Sequence, residues 1–202
     1  MIQAGCRRPS SNAPMTAKSA EARAFQTSSY QGAWFSFTGD RHAFRDTLQT
    51  YLRQTLSDPD GTLLVDSNGP HWLGKHKIDL SYSHTGSFAV AVFSETMRVG
   101  VDVEKSDRIF KEDPVAIARR FFHANEIETL SKMEKEELNS SFLALWIKKE
   151  AYAKLTRAGL KDSIRLELEK QDFSGEPLPV TPAGHIAFVA YAPPSALPMP
   201  SR

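Results

Sequence analysis

The chain has 202 residues, 41% hydrophobic and 24% charged, an ordinary globular composition with length enough to bury a core. Lys and Arg number 25 against 24 Asp and Glu, so a formal charge of +1 exerts no strong global pull toward nucleic acid or an anionic membrane. The single cysteine, Cys6, excludes an intramolecular disulfide and a Cys-rich zinc site and suits a reducing cytoplasm, and no apolar run approaches the roughly 20 residues a membrane helix needs.

Residues 1–24 are rich in Ser, Ala and Pro and carry no acid before Glu21. They read as a disordered tail; a transit peptide shares that composition. "GAWFSFTGD" (32–40) predicts a short strand and turn. Phe44, Leu48, Leu52 and Leu56 recur at helical spacing in residues 40–58, and Asp58-Pro59-Asp60-Gly61 breaks the chain. "GTLLVDSNGPHWLGKH" reads as strand-turn-strand. "IDLSYSHTGSFAVAVFS" reads as a hairpin, and "MRVGVDVEK" as a further strand in the same antiparallel series. Asp113-Pro114 predicts a helix start, Asn125 with Glu128 resembles a capping box, and "SSFLALWIKKEAYAKLTRAG" predicts a long helix closed by Gly159. "SIRLELEKQDF" alternates as a strand does, "GHIAFVAYA" is the last strand, and residues 193–202 are a loose Pro-rich tail. The expected class is α+β, with two similar halves (25–98 and 99–192) whose antiparallel sheets pack side by side about a pseudo-twofold axis.

The chemistry concentrates at three places. In "VGVDVEKS" (99–106) a strand sends Asp102 and Glu104 to one face and Val99, Val101 and Val103 to the other. Two surface acids have the same spacing, but a paired wall of carboxylates also suits hard Mg²⁺ with phosphate. On the long helix Trp146, Glu150 and Lys154 share a face. An acid and a lysine one turn apart are a common stabilising pair. They are also what a metal-assisted phosphate reaction uses. "SYSHTG" (81–86) sets Ser83 and His84 before a Gly turn, where a hydroxyl, an imidazole and backbone N–H groups suit phosphate oxygens.

In this order, "SHTG", "VGVDVEKS", "ARRFFHANEIETL", "LWIKKEAYAK" and "AGL" resemble the 4'-phosphopantetheinyl transferase superfamily, in its longer, monomeric, surfactin-synthetase-activating type. The resemblance covers residues 69–160 well and the flanks loosely. It implies transfer of phosphopantetheine from coenzyme A to a serine of an acyl or peptidyl carrier protein, releasing adenosine 3',5'-bisphosphate, in fatty acid, polyketide or nonribosomal peptide biosynthesis. Mg²⁺ is the implied metal, with Mn²⁺ the alternative. Asp102, Glu104 and Glu150 match the metal ligands; Glu150 is also the base for the serine, and Lys154 stabilises the leaving group. Ser83 and His84 match the coenzyme A phosphate site, and Lys149 is grouped with the coenzyme A-binding residues. A monomer in the cytoplasm is expected, with no nucleic-acid or membrane partner.

The family often has Gly-Lys-Pro upstream of the Ser-His pair. Here "GPH" (69–71) stands instead, with Lys75 as a substitute. For the 3'-phosphate the first helix offers Arg41, His42, Arg45 and Arg53, with Arg45 first and Arg41 second. Phe121 and Phe122 read as packing residues, and Arg119 and Arg120 as part of a basic, apolar surface for the carrier's acidic helix. Two other readings are a Mg-dependent nuclease or phosphoesterase and a non-catalytic module that binds coenzyme A or carrier protein. The spacing of acids and lysine and the near-neutral charge argue against the first. The presence of Glu150 and Lys154 argues against the second.

Overall fold

The computed structural model describes residues 22–197; residues 1–21 and 198–202, which hold most of the N-terminal tail and half of the C-terminal one, lie outside the described residues. Within them the fold is α+β and every strand pairing is antiparallel. Strands β1 (Arg23–Gln26), β2 (Gln31–Ser36), β5 (Asp79–Thr85) and β6 (Phe88–Ser94) form a first sheet in the order β1-β2-β6-β5. Helix α1 (Arg41–Thr55) and the hairpin β3 (Thr62–Asp66)–β4 (Gly69–Leu73) lie between β2 and β5 in the chain. The second sheet is β7 (Arg98–Lys105), β9 (His185–Ala192) and β8 (Ser174–Pro177), in the order β7-β9-β8. Between β7 and β8 run α2 (Pro114–Phe121), α3 (Ala124–Ser131), α4 (Lys135–Thr156) and the short α5 (Leu160–Ser163). No helix among the described residues is long and apolar enough to cross a membrane.

Side-chain alternation builds the layers. On β6, Ala89, Ala91 and Phe93 face α1, where Phe44, Leu48 and Leu52 meet them. Val90 and Val92 face the other way and join Val99, Val101, Val103 and Val189 of the second sheet. The opposite face of β7 lies under α4. A Cβ at Gly100 would stand 2.0 Å from Ala151 O and 2.4 Å from Leu155 N, so only glycine lets helix and strand come this close. The layers therefore run α1, first sheet, second sheet, α4.

Several sequence expectations change. β7 does not extend the β5–β6 hairpin; it pairs with β9, from Arg98↔Ala192 to Lys105↔His185. The expected strand at residues 163–173 is absent. The segment runs from α5 into a 3-10 turn at Leu168–Lys170, and the carbonyls of Ile164 and Leu166 accept from Lys149 instead of a neighbouring strand. α3 is capped by His123 with Glu126, whose carboxylate accepts from His123 N at 2.9 Å, two residues ahead of the expected box. α4 ends in a left-handed Arg157 (φ 58°) before Gly159 is reached. β1 starts inside the expected tail, at Arg23. At the other end Leu197 is buried beside Phe173 and Phe188, so the C-terminal segment is docked up to that residue.

Candidate active site

The two sheets meet where β5 lies beside β7. The outer N–H groups of β7 have no strand partner, and side chains of β5 take them. Val99 N donates to Asp79 Oδ2 at 2.8 Å, and Val101 N donates to Ser81 Oγ at 3.1 Å. The next two β5 residues on that face reach the acids: Ser83 Oγ donates to Asp102 at 2.7 Å, and Thr85 Oγ1 to Glu104 at 3.2 Å. The period of two that pairs Asp102 with Glu104 also pairs Ser83 with Thr85.

From above, α4 lowers Lys154 onto this wall. Its Nζ donates to Asp102 Oδ1 at 2.8 Å and to Val101 O at 2.9 Å. Asp102, only 6% exposed, thus has an ammonium and a hydroxyl on its carboxylate. Glu104 is held by Thr85 and by the guanidinium of Arg108. Burial raises the Glu150 carboxyl above the usual glutamate range, the Asp102 charge adds to this, and Lys154 opposes it. Glu104 is raised by burial as well, with Arg108 opposing. As placed, no group of three or more His, Cys, Asp or Glu among the described residues is gathered tightly enough to hold a metal ion. The donor set still fits a hard divalent cation: Asp102 and Glu104 are close enough to Glu150 for their charges to raise it, and side-chain cations meet the acids instead.

Beside the acids, Arg41, Phe44, Arg45, Tyr82 and His84 line a cavity of about 170 Å³. His84 stacks on Phe37 with ring centroids 4.4 Å apart. Burial lowers its imidazole, and the cations of Arg41 and Lys154 lower it further. Arg45 Nε is buried with no hydrogen-bond partner. An unpaired buried guanidinium N–H beside a second arginine and a histidine is an arrangement that an anion completes.

Residues 98–188, which carry β7, α4 and the first half of β9, match the ACPS family, described as the 4'-phosphopantetheinyl transferase superfamily. This stretch is similar to a 4'-phosphopantetheinyl transferase superfamily domain. The 4'-phosphopantetheinyl transferase ffp of Bacillus subtilis is 35% identical over 91 residues, 44% of this chain and 38% of that protein. Psf-1 of Bacillus pumilus, of the same description, is 37% identical over 78 residues, 39% of this chain and 31% of its own. HetI of Nostoc sp. is 29% identical over 143 residues, 66% of this chain and 60% of HetI. The alignments thus span about a third of each Bacillus transferase.

In the superfamily's terms, Ser83, Asp102 and Lys154 are in direct contact, Glu104 and Glu150 adjoin them electrostatically, and His84, Arg41 and Arg45 share one cavity. Two expected coenzyme A residues lie elsewhere. Lys149 is 0% exposed, and its Nζ donates to Ile164 O, Leu166 O and Glu126, so its three donors are used inside the protein. Lys75 is exposed ahead of β5, with its backbone N–H on Asp58; His84 stands at the far end of that strand, roughly 17 Å along it. Among the other α1 candidates, Arg53 is turned away, donating from Nε to Gly61 O at 2.8 Å. Trp146 packs against Phe110, Phe122 and Phe142, while Arg119 and Arg120 are exposed at the end of α2. Sequence reasoning missed Thr85, Arg108 and Gly100. Thr85 was available as the residue two beyond Ser83, and Arg108 as the residue four beyond Glu104. Gly100 gave no signal without knowledge that α4 crosses there.

Proposed function

We propose that this protein transfers the 4'-phosphopantetheine group of coenzyme A to a serine of an acyl or peptidyl carrier protein, releasing adenosine 3',5'-bisphosphate. The observation that carries this reading is the Lys154–Asp102–Ser83 contact, with Glu150 one helical turn from Lys154; Asp102, Glu150 and Lys154 lie inside the segment that matches the superfamily. Both walls come from one chain, which supports a monomer. The shared strand orders, β2-β6-β5 and β7-β9-β8, support a twofold relation between halves at 25–98 and 99–192.

Asp102, Glu104 and Glu150 are the residues that would hold Mg²⁺, or Mn²⁺ in its place. When bound, the cation would supply charge neutralisation at the pyrophosphate. Arg41, Arg45 and His84 hold coenzyme A phosphates in the cavity beside Ser83. Glu150, its carboxyl raised above the usual glutamate range by burial, accepts the proton of the carrier serine, directly or through water. The serine oxygen then forms a bond to the β-phosphorus. The bond from that phosphorus to the bridging oxygen breaks, and the electron pair leaves with adenosine 3',5'-bisphosphate. Lys154 retains one N–H beyond its two hydrogen bonds and aims it at the charge growing on that oxygen. Exposed Arg119 and Arg120 form the surface assigned to the carrier's acidic helix.

The test is intact-mass spectrometry of apo peptidyl and apo acyl carrier proteins incubated with this protein, coenzyme A and Mg²⁺, with and without EDTA. The expected result is a metal-dependent gain of one phosphopantetheine that Glu150→Gln abolishes. Coenzyme A binding by calorimetry with no gain on any carrier would sink the transfer reaction.

A further inference from the structure

We propose that Arg108 is a displaceable counter-ion, holding Glu104 when no cation is bound and giving that carboxylate up to a divalent metal. This rests on the reading of Asp102, Glu104 and Glu150 as metal-holding acids. It adds a residue that competes with the metal for one of them.

Glu104 has both oxygens engaged, Oε1 by Arg108 and Oε2 by Thr85. Each oxygen keeps a second lone pair, so charge and not donor count decides whether a cation can join, and the two donors are unequal. The Thr85 hydroxyl is neutral and able to rotate its hydrogen away. The guanidinium carries a full positive charge that would face the metal across one carboxylate. Coulomb repulsion at that range makes simultaneous occupancy costly, so Arg108 has to leave.

The local structure allows the side chain to leave without moving the chain. Arg108 N donates to Lys105 O at 3.1 Å, and Arg108 O accepts from Asn139 Nδ2 of α4 at 3.1 Å, so the backbone is pinned on both sides. The side chain is 37% exposed, and its guanidinium carbon lies 4.8 Å from the Phe110 ring centroid. Rotation about the side-chain bonds keeps the cation against that aromatic face while it lets go of Glu104. Lys154 differs, being hydrogen-bonded to Val101 O as well as to Asp102. Of the two cations on the acids, Arg108 is the one with no backbone carbonyl on its guanidinium among the described residues.

Mn²⁺ titration of the intact protein without coenzyme A, followed by the free-ion electron paramagnetic resonance signal, tests this. Arg108→Gln should bind Mn²⁺ roughly two- to fivefold more tightly than the unmodified protein, the size of effect a partly exposed ion pair exerts. Arg108→Lys should fall between them, and circular dichroism checks that both variants are folded. In a Glu104→Gln background most of the gain should vanish, because Arg108 grips Glu104 directly and reaches Glu150 only through its field. Unchanged or weaker binding in Arg108→Gln, or a gain that is undiminished with Glu104→Gln, overturns the role of Arg108 while leaving the metal site standing. Absence of Mn²⁺ binding in every variant overturns the metal-holding reading itself, and this inference with it.

Discussion

Two lysines five residues apart on α4 serve opposite ends of the protein's chemistry. Both reach a carboxylate and a backbone carbonyl. Lys149 has three acceptors, Glu126, Ile164 O and Leu166 O, no solvent contact, and the Phe122 ring 5.0 Å away. Lys154 has two acceptors, and its side chain is 31% exposed. An ammonium has three hydrogens, so the first lysine is saturated and the second has one left over. Enclosure makes Lys149 a brace joining α3, α4 and the segment after α5. Openness makes Lys154 available to a ligand.

The comparison breaks most visibly at the brace. Lys149→Met leaves partly buried Glu126 without its cation and the carbonyls of Ile164 and Leu166 without their donor, and should cost about 3–5 kcal/mol of stability, read from urea unfolding. Lys154→Met leaves buried Asp102 with only the Ser83 hydroxyl, so it too should lower the unfolding midpoint, and under conditions where the variant is folded it should also slow carrier modification by roughly 10²–10³-fold, measured as phosphopantetheine transfer per unit time. If the two variants exchange these phenotypes, the assignment of brace and ligand is reversed. At the neighbouring cavity, Arg45→Ala removes the unpaired guanidinium and should weaken coenzyme A binding by about 1.5–3 kcal/mol in calorimetry, with little change in the rate at saturation.

The smallest effect is one of pH. His84 sits below the ordinary histidine value of 6.5 because burial and the cations of Arg41 and Lys154 disfavour its charged form. A depressed pKa means that its contribution to stability is intact above 6.5 and is lost as pH falls through the lowered value. A bound phosphate reverses the local field. The His84 ring resonances should therefore titrate below 6.5 in the free protein and move upward with coenzyme A present, with proton uptake on binding. A midpoint indifferent to coenzyme A would place the phosphates away from His84.

The faces of single elements were legible from the chain. The alternation of Val99, Val101 and Val103 against Asp102 and Glu104 gave the inner and outer sides of β7. The spacing of Phe44, Leu48 and Leu52 gave the buried side of α1. What covers a face was not legible. "WIKKEAYAK" does not say which lysine meets solvent, since that depends on the 164–168 segment folding over one of them. The alternation in "SIRLELEKQDF" was taken for a strand because the pattern does not reveal that Lys149 takes two of its carbonyls. β7 pairs with a strand about ninety residues later, a partnership with no local trace, and the four-residue strands β1 and β8 are too short to show a period.

The row of β5 side chains along β7 works as a gauge. Asp79, Ser81, Ser83 and Thr85 each grip a point on the neighbouring strand, two of them amides and two of them acids. A slide of β7 by one residue would put a valine where Asp102 stands and break all four grips together. The position of the acids is thus measured against the other sheet and not only within their own. A chain that has completed one sheet alone would own every residue of the site and still lack its spacing.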